Sequence, residues 1–371
     1  MSANSPMAMK SPLGIVATLL RLAAIGGVLL AVAAAFAYVG GWLSPRRLTQ
    51  SSLMDAFAQL NGAHPGFRRN HAKGVCVSGW FDGTGAASLL SRSEILASGR
   101  VPVIGRFALA GGLPMQADTS SAVRSLALRF LEPDGQEWRT GMNDIPVFPV
   151  NTVQAFQEQL LASKPDPATG KPDPRAVKAF LDRHPETVRA LAIIKSRAAA
   201  SGFADSTFNS LDVFRLVDAG GRSTAVRWAA VPLEPPAPDA SAPPASSDGN
   251  YLFDALIAQI HRRPLKWRLM ITVGQAQDPT ADATLPWPAD RAQIDAGTLT
   301  LDAVSSENGG PCTDINFDPL VLPAGIEPSD DPLLSARSAA YARSFILRAA
   351  ERRGKLPSAV TPQEVRAGGK T

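Results

Sequence analysis

Between Leu22 and Leu43 the chain reads LAAIGGVLLAVAAAFAYVGGWL, 22 residues without a charge. As a helix rising ~1.5 Å per residue, the run is about 33 Å long and can cross a hydrocarbon layer of ~30 Å. Such a run has to leave water, so the chain divides into a membrane-directed N-terminus and a separate body. Lys10 and Arg21 precede the run and Arg46 and Arg47 follow it, so charge bias does not settle its orientation. Tyr38 and Trp42 lie near its far end, where amphipathic rings favour the interface. A cleaved signal peptide is the alternative: AAAFA has the small-residue spacing of a cleavage site, although the run exceeds the usual ~7–15-residue core. The expectation is a short segment 1–21, a single-pass inner-membrane anchor 22–43, and a body in the periplasm. A soluble periplasmic form after signal cleavage is the other possibility.

The whole chain has 371 residues, enough for one large domain with accessory segments, and its 45% hydrophobic content supports a sizeable core. A formal charge of only +4 and 6% aromatic residues give no interleaved basic and aromatic surface, so nucleic acid is not expected as a partner. The two cysteines, Cys76 and Cys312, lack the spacing of a zinc or thioredoxin-like motif. In an oxidising compartment they could pair, but sequence separation leaves that open.

The spacing of apolar residues in LMDAFAQLNG (53–62) predicts a helix ending at Asn-Gly. GVCVSGWFDG and VPVIGRFALAG read as strands, and AVRSLALRFLEPDGQEWR as two strands joined at Pro-Asp-Gly. Residues 153–197 are helical apart from the proline-rich SKPDPATGKPDP. VFRLVDAGGRSTAVRWAAV is a hairpin and LKWRLMITVG a further strand. Between them, Pro232–Asn250 is a low-complexity Pro/Ala/Ser loop expected to be flexible. A last helix begins after Asp330, Asp331 and Pro332 and ends in basic residues, as the helix dipole favours. Antiparallel strands with inserted helices point to an α+β fold, with a closed β-barrel as its centre.

His71, one of four histidines, stands in RRNHAKG (68–74). A lone histidine is more often a buried, satisfied core residue. This one has Arg68 three residues before it, Arg106 after a strand and Asn143 in MNDIPVF, so a base, an amide donor and anion-binding cations are at hand. On the last helix Arg337, Tyr341, Phe345 and Arg348 share one stripe. A phenol ionises near ~10 and needs a metal or a nearby cation to act as a ligand at neutral pH; Arg337, one turn away, is placed to supply the cation.

RRNHAKG, RFALAGG (106–112), ADTSSAVRSLALRF (117–130), NDIPVF (143–148) and FDPLVLPAGIEPSDDPLLSARSAAY (317–341) together resemble the haem catalases, in particular the shorter catalase-related peroxidases. The resemblance covers roughly residues 51–355 and implies a catalase-like antiparallel barrel with surrounding helices, with 356–371 left as a disordered tail. It implies haem b (iron protoporphyrin IX), with Tyr341 as the iron ligand and Arg337 as the cation beside it. His71 and Asn143 would be the catalytic pair on the opposite face, and Arg68, Arg106 and Arg348 the arginines around the propionates. The implied activity is reduction of hydrogen peroxide or organic hydroperoxides through a ferryl intermediate, with a small-molecule electron donor. True catalase activity, fatty-acid hydroperoxide isomerisation and a non-catalytic haem-binding barrel are the alternatives.

Three positions depart from the large catalases. Ala108 stands where they have a serine bonded to the distal histidine, which puts the tautomer of His71 in question; Asn70 replaces a small apolar residue; and Phe345 stands where histidine is frequent. The chain continues only briefly past the last helix, so neither bound NADPH nor an interlocked tetramer is expected, and a monomer or small homo-oligomer is.

Overall fold

The computed structural model describes residues 14–39, 48–119, 122–198, 200–234, 249–354 and 356–369. It divides into two units, Met1–Thr49 and Gln50–Thr371. In the first, helix α1 (Ile15–Val39) starts earlier than the expected Leu22 and takes in Arg21; residues 40–43 lie outside the described residues. By length and a mean hydropathy of 2.3, α1 meets the requirements of a membrane span or of a signal sequence.

The second unit is built on antiparallel strands: β1 (Gly74–Thr84), β2 (Ser98–Leu109), β3 (Arg124–Leu131), β4 (Glu137–Asn143), β5 (Phe208–Asn209), β6 (Phe214–Val217), β7 (Ser223–Pro232), β8 (Leu265–Val273), β9 (Gln293–Ser306) and β10 (Ile326–Pro328). The order β7-β5-β4-β3-β2-β1-β9-β8 closes through pairing of β7 with β8, giving an eight-stranded barrel among the described residues; β6 and β10 extend from β7. Closure removes the exposed edges that a sheet of this size would otherwise carry. Around it lie α2 (Gln50–Asn61), α3 (Val153–Ala162), α4 (Pro174–Arg183), α5 (Pro185–Ser196), α6 (Tyr251–Arg262), α7 (Pro332–Glu351) and α8 (Pro362–Ala367).

Alternation along each strand sorts the side chains. Phe107, Leu126, Leu128, Met142, Trp228 and Trp267 turn inward and are buried in one continuous core, so the barrel interior is filled. Their neighbours turn outward: Arg106 and Ala108, Ser125 and Ala127, Gly141 and Asn143 all line a cavity outside the barrel. The ladder aligns them in two rows, Arg106–Ala127–Gly141 and Ala108–Ser125–Asn143. Helices α2, α3 and α7 add Leu53, Met54, Phe57, Phe156 and Ala340 to the cavity lining.

Three readings change. The described residues 356–369 do not form a loose tail: Thr361 and Glu364 make a capping box on α8, and Val360 and Val365 are buried in the main core. Strand β9 and helix α6 had no clear mark in the sequence; β9 is broken by Gly297 and dotted with Asp, Ser and Thr, and pairing with β1 and β8 makes it a strand. Cys76 and Cys312 form a disulfide, tying β1 to the loop before Phe317, with both residues fully buried. Most of the Pro/Ala/Ser loop, 235–248, lies outside the described residues.

Candidate active site

His71 sits just before β1 in a left-handed conformation, φ 52°. For a residue with a Cβ this costs about 1–2 kcal/mol, so the surroundings must hold it. Asn70 does: its side-chain oxygen accepts from the His71 amide at 2.9 Å and from the Gly111 amide at 3.0 Å, which gives the unexpected asparagine a structural task. Gly74 is needed next to it, because a Cβ there would lie 2.5 Å from the Phe107 carbonyl and 2.6 Å from the Arg106 guanidinium. Among the described residues the other non-glycine with positive φ is Leu211, at 67°, which precedes Asp212. Both strained residues line the same cavity, as strained backbone at functional sites tends to do.

That cavity encloses about 1310 Å³ of atom-free space, its open mouth included. All seven residues singled out in the sequence line it: Arg68, His71, Arg106, Asn143, Arg337, Tyr341 and Arg348. Burial, then the charges of Arg106, Arg337 and Arg68, push the His71 imidazole down to about 3, against the weaker opposing pull of the Leu109 carbonyl. His71 is therefore neutral throughout the physiological range and can accept a proton. Its Nδ1 lies 2.9 Å from the hydroxyl of Ser125, which donates in turn to the side-chain carbonyl of Asn143.

One stability consequence follows from that pKa. The folded protein refuses a proton that the unfolded chain takes up near ~6.5, so stability rises with pH across the window from about 3 to about 6.5 and is lost as pH falls through it. Chemical denaturation of the wild type and His71→Gln at pH 7.5 and pH 5 should show the wild type losing up to about 1.4 kcal/mol more per pH unit below ~6.5. Parallel slopes would mean that His71 titrates as a solvated imidazole.

Helix α7 is started by Asp331, whose side chain accepts from the Leu333 amide at 2.9 Å, and by Pro332 at its first position. This helix presents Arg337, Tyr341 and Arg348 to the cavity. Arg337 pairs with buried Asp212 and also donates to the Gly141 carbonyl at 3.2 Å. A Cβ on Gly141 would lie 3.4 Å from both the Tyr341 hydroxyl and Arg337, so this side of the cavity is kept open by a missing side chain.

At one end, three guanidinium groups share one carboxylate. Glu307 takes two 2.7 Å hydrogen bonds from Arg106, and Arg68 approaches it at 3.8 Å. Burial opposes the charge of Glu307, but Arg106, by charge and hydrogen bonding, with Arg68 and Arg348, holds its carboxyl below the usual range. Arg68 gives two bonds to the carbonyls of Cys312 and Ile315, at 3.1 and 3.2 Å, while its buried Nε has no hydrogen-bond partner among the described residues. Arg348 is 5% exposed and lies 5.3 Å over the Phe345 ring, with no ion pair among the described residues. Burial first, then repulsion from Arg106 and Arg348, lowers Arg68 to about 9; burial first, then Arg352, lowers Arg348 to about 10. Guanidinium groups keep their protons, so this end of the cavity favours incoming anions.

The arrangement suits a flat, largely apolar ligand with two carboxylates and a metal centre that accepts a phenolate. The two uncompensated guanidinium charges match two carboxylates, the orphaned Arg68 Nε offers a further donor, and the Arg337 cation stands ready beside Tyr341. Among the described residues no three His, Cys, Asp or Glu side chains converge as a metal site of their own. The sequence pointed to the seven residues but not to Ser125, Asp212 or Glu307. Only strand register and loop closure bring these to the cavity, although Ser125 lies inside one of the telling stretches.

A family model described as catalase matches residues 39–369. A catalase-related peroxidase of Synechococcus elongatus is 38% identical over 301 residues, covering 81% of this chain and 89% of that protein. One from Mycolicibacterium paratuberculosis is 30% identical over 309 residues, covering 83% and 97%. Among solved structures, catalase A from Saccharomyces cerevisiae aligns with a TM-score of 0.68 at 20% identity, covering 86% of this chain and 67% of that one. A bacterial catalase aligns at 0.67 and 21%, covering 82% and 62%.

Proposed function

Because the chain belongs to the catalase family, and is thereby an oxidoreductase acting on peroxide, we propose that it is a haem b peroxidase that reduces hydrogen peroxide or organic hydroperoxides with an external small-molecule electron donor. The observation that carries this reading is one cavity lined together by His71, Asn143, Tyr341 and Arg337. Tyr341 would hold the iron, with Arg337 favouring its phenolate and Asp212 holding Arg337 in place. Arg68 and Arg348 would take the propionates, and Arg106 would keep the charge balance at that end through Glu307. Bound there, haem supplies a redox-active iron that exchanges electrons with peroxide and donor.

The chain's own part is proton handling. The bare His71 nitrogen takes the proton from one peroxide oxygen and returns it to the departing one, while the Asn143 amide donates a hydrogen bond to that oxygen. Leu53, Met54, Phe57 and Phe156 line the approach with apolar surface, which limits water beside the reacting atoms.

We further place the body in the periplasm, held by α1 to the inner membrane. Two observations support this: the length and composition of α1, and the buried disulfide, a bond that persists in oxidising compartments.

The test is a pyridine haemochrome assay on the purified chain, followed by peroxide addition with and without a phenolic donor. We expect about one b-type haem per chain and donor oxidation faster than oxygen release. Rapid oxygen release without donor would make it a catalase, and absence of haem after reconstitution would overturn the proposal.

A further inference from the structure

We infer that Ser125 is a positioning residue whose single hydroxyl proton sets both the tautomer of His71 and the orientation of the Asn143 amide. The inference rests on the peroxidase reading above and assigns to this chain a residue outside the seven singled out in the sequence. Ala108, Ser125 and Asn143 are successive partners across β2, β3 and β4, with their side chains on the outward, cavity-facing surface. Position 108, nearest the His71 loop, carries only a methyl group, and the hydroxyl comes from the next strand in the same row.

A hydroxyl has one proton to give. Ser125 gives it to the Asn143 carbonyl, so its oxygen can only accept at the 2.9 Å contact with His71 Nδ1. His71 therefore carries its proton on Nδ1 and keeps Nε2 bare as an acceptor. The same bond engages the carbonyl end of Asn143, which leaves the –NH₂ end as a donor. If the asparagine were flipped, the relay would run in reverse: its –NH₂ would donate to Ser125, Ser125 to Nδ1, and the proton would sit on Nε2, where it would block the base. Base and donor are thus set together or lost together. Ser125 is 8% exposed, so little water competes for its two bonds.

The experiment compares Ser125→Thr with Ser125→Val in the full chain. These two side chains share a shape and differ in the hydroxyl, so packing damage is common to both. With haem bound, the first readout is cyanide association, since hydrogen cyanide must give its proton to a base beside the iron. We expect the S125V rate to fall at least about tenfold, with S125T close to wild type. The second readout is independent of haem: nitrogen-15 spectra of the full chain labelled at its four histidines. The proton should be on His71 Nδ1 in wild type and S125T, and should shift toward Nε2 in S125V. Normal haem uptake with equal cyanide rates in S125T and S125V overturns the inference while leaving the peroxidase reading intact. An Nε2-protonated His71 in the wild type overturns it whether or not haem binds, whereas failure of haem uptake alone counts against the peroxidase reading and not against the tautomer.

Discussion

Replacing His71 with alanine should slow the reaction of the haem-loaded protein with peroxide by about 10²–10⁴-fold, the usual contribution of a positioned base, while haem remains bound. The separation is expected because Tyr341 and the arginines, and not His71, are the groups that would hold the haem. The depressed pKa adds a second expectation. An imidazole that protonates only near 3 stays a base from pH 5 to 8, so the wild-type rate should show no fall through pH 6.5, where an ordinary histidine would be lost. Stopped-flow mixing with peroxide at several pH values gives both results. A variant that reacts at the wild-type rate would remove His71 from the mechanism.

The largest expected effect on stability lies two residues further on. Lys73 and Asp118 form an ion pair at 2.7 Å with side chains 1% and 0% exposed. The ammonium also donates to the carbonyls of Gln116 and Gly249, at 2.8 and 2.7 Å. The second oxygen of Asp118 accepts from the Leu252 amide at 2.8 Å, so it caps α6 from a distance where Asn250 offers no side-chain cap. Asp118→Ala strips the buried ammonium of its counter-charge and α6 of its cap, and should cost about 3–5 kcal/mol. Asp118→Asn keeps an acceptor for the cap and should cost less. Denaturant midpoints of the full chain in detergent measure both, and a loss below about 1 kcal/mol for D118A would show that the pair contributes little. Because Lys73 anchors the loop that carries His71, D118A should also slow the peroxide reaction.

These two residues show what could be read from the chain and what could not. His71 was legible because of its company: a rare residue among cations, with Asn143 and the Arg337–Tyr341 pair in recognisable surroundings. Lys73 stood in the same seven residues, yet nothing local marks it as buried. Its partner is 45 positions away, and the carbonyl of Gly249 lies across the barrel connections. Ser125 and Glu307 are similar cases. A serine in an alternating strand reads as an ordinary surface residue until register places it between His71 and Asn143. A glutamate in SSENGG reads as a turn residue until the loop folds back onto Arg106.

Period-two and period-3.6 patterns, turn residues and helix caps are local, so the sequence by itself determined most of the strands, the helices α2 and α7, the apolar N-terminal run and the family likeness. The closing of the barrel through β7 and β8, the short strand β5, the role of β9, the folded C-terminal segment and the disulfide were decided only by the tertiary structure. The same holds for the charge balance among Arg68, Arg106, Arg348 and Glu307, and for the direction of the proton at His71. Each depends on groups far apart in the chain sharing a dry volume, where an unpaired charge or an unmet hydrogen bond is costly enough to select one arrangement.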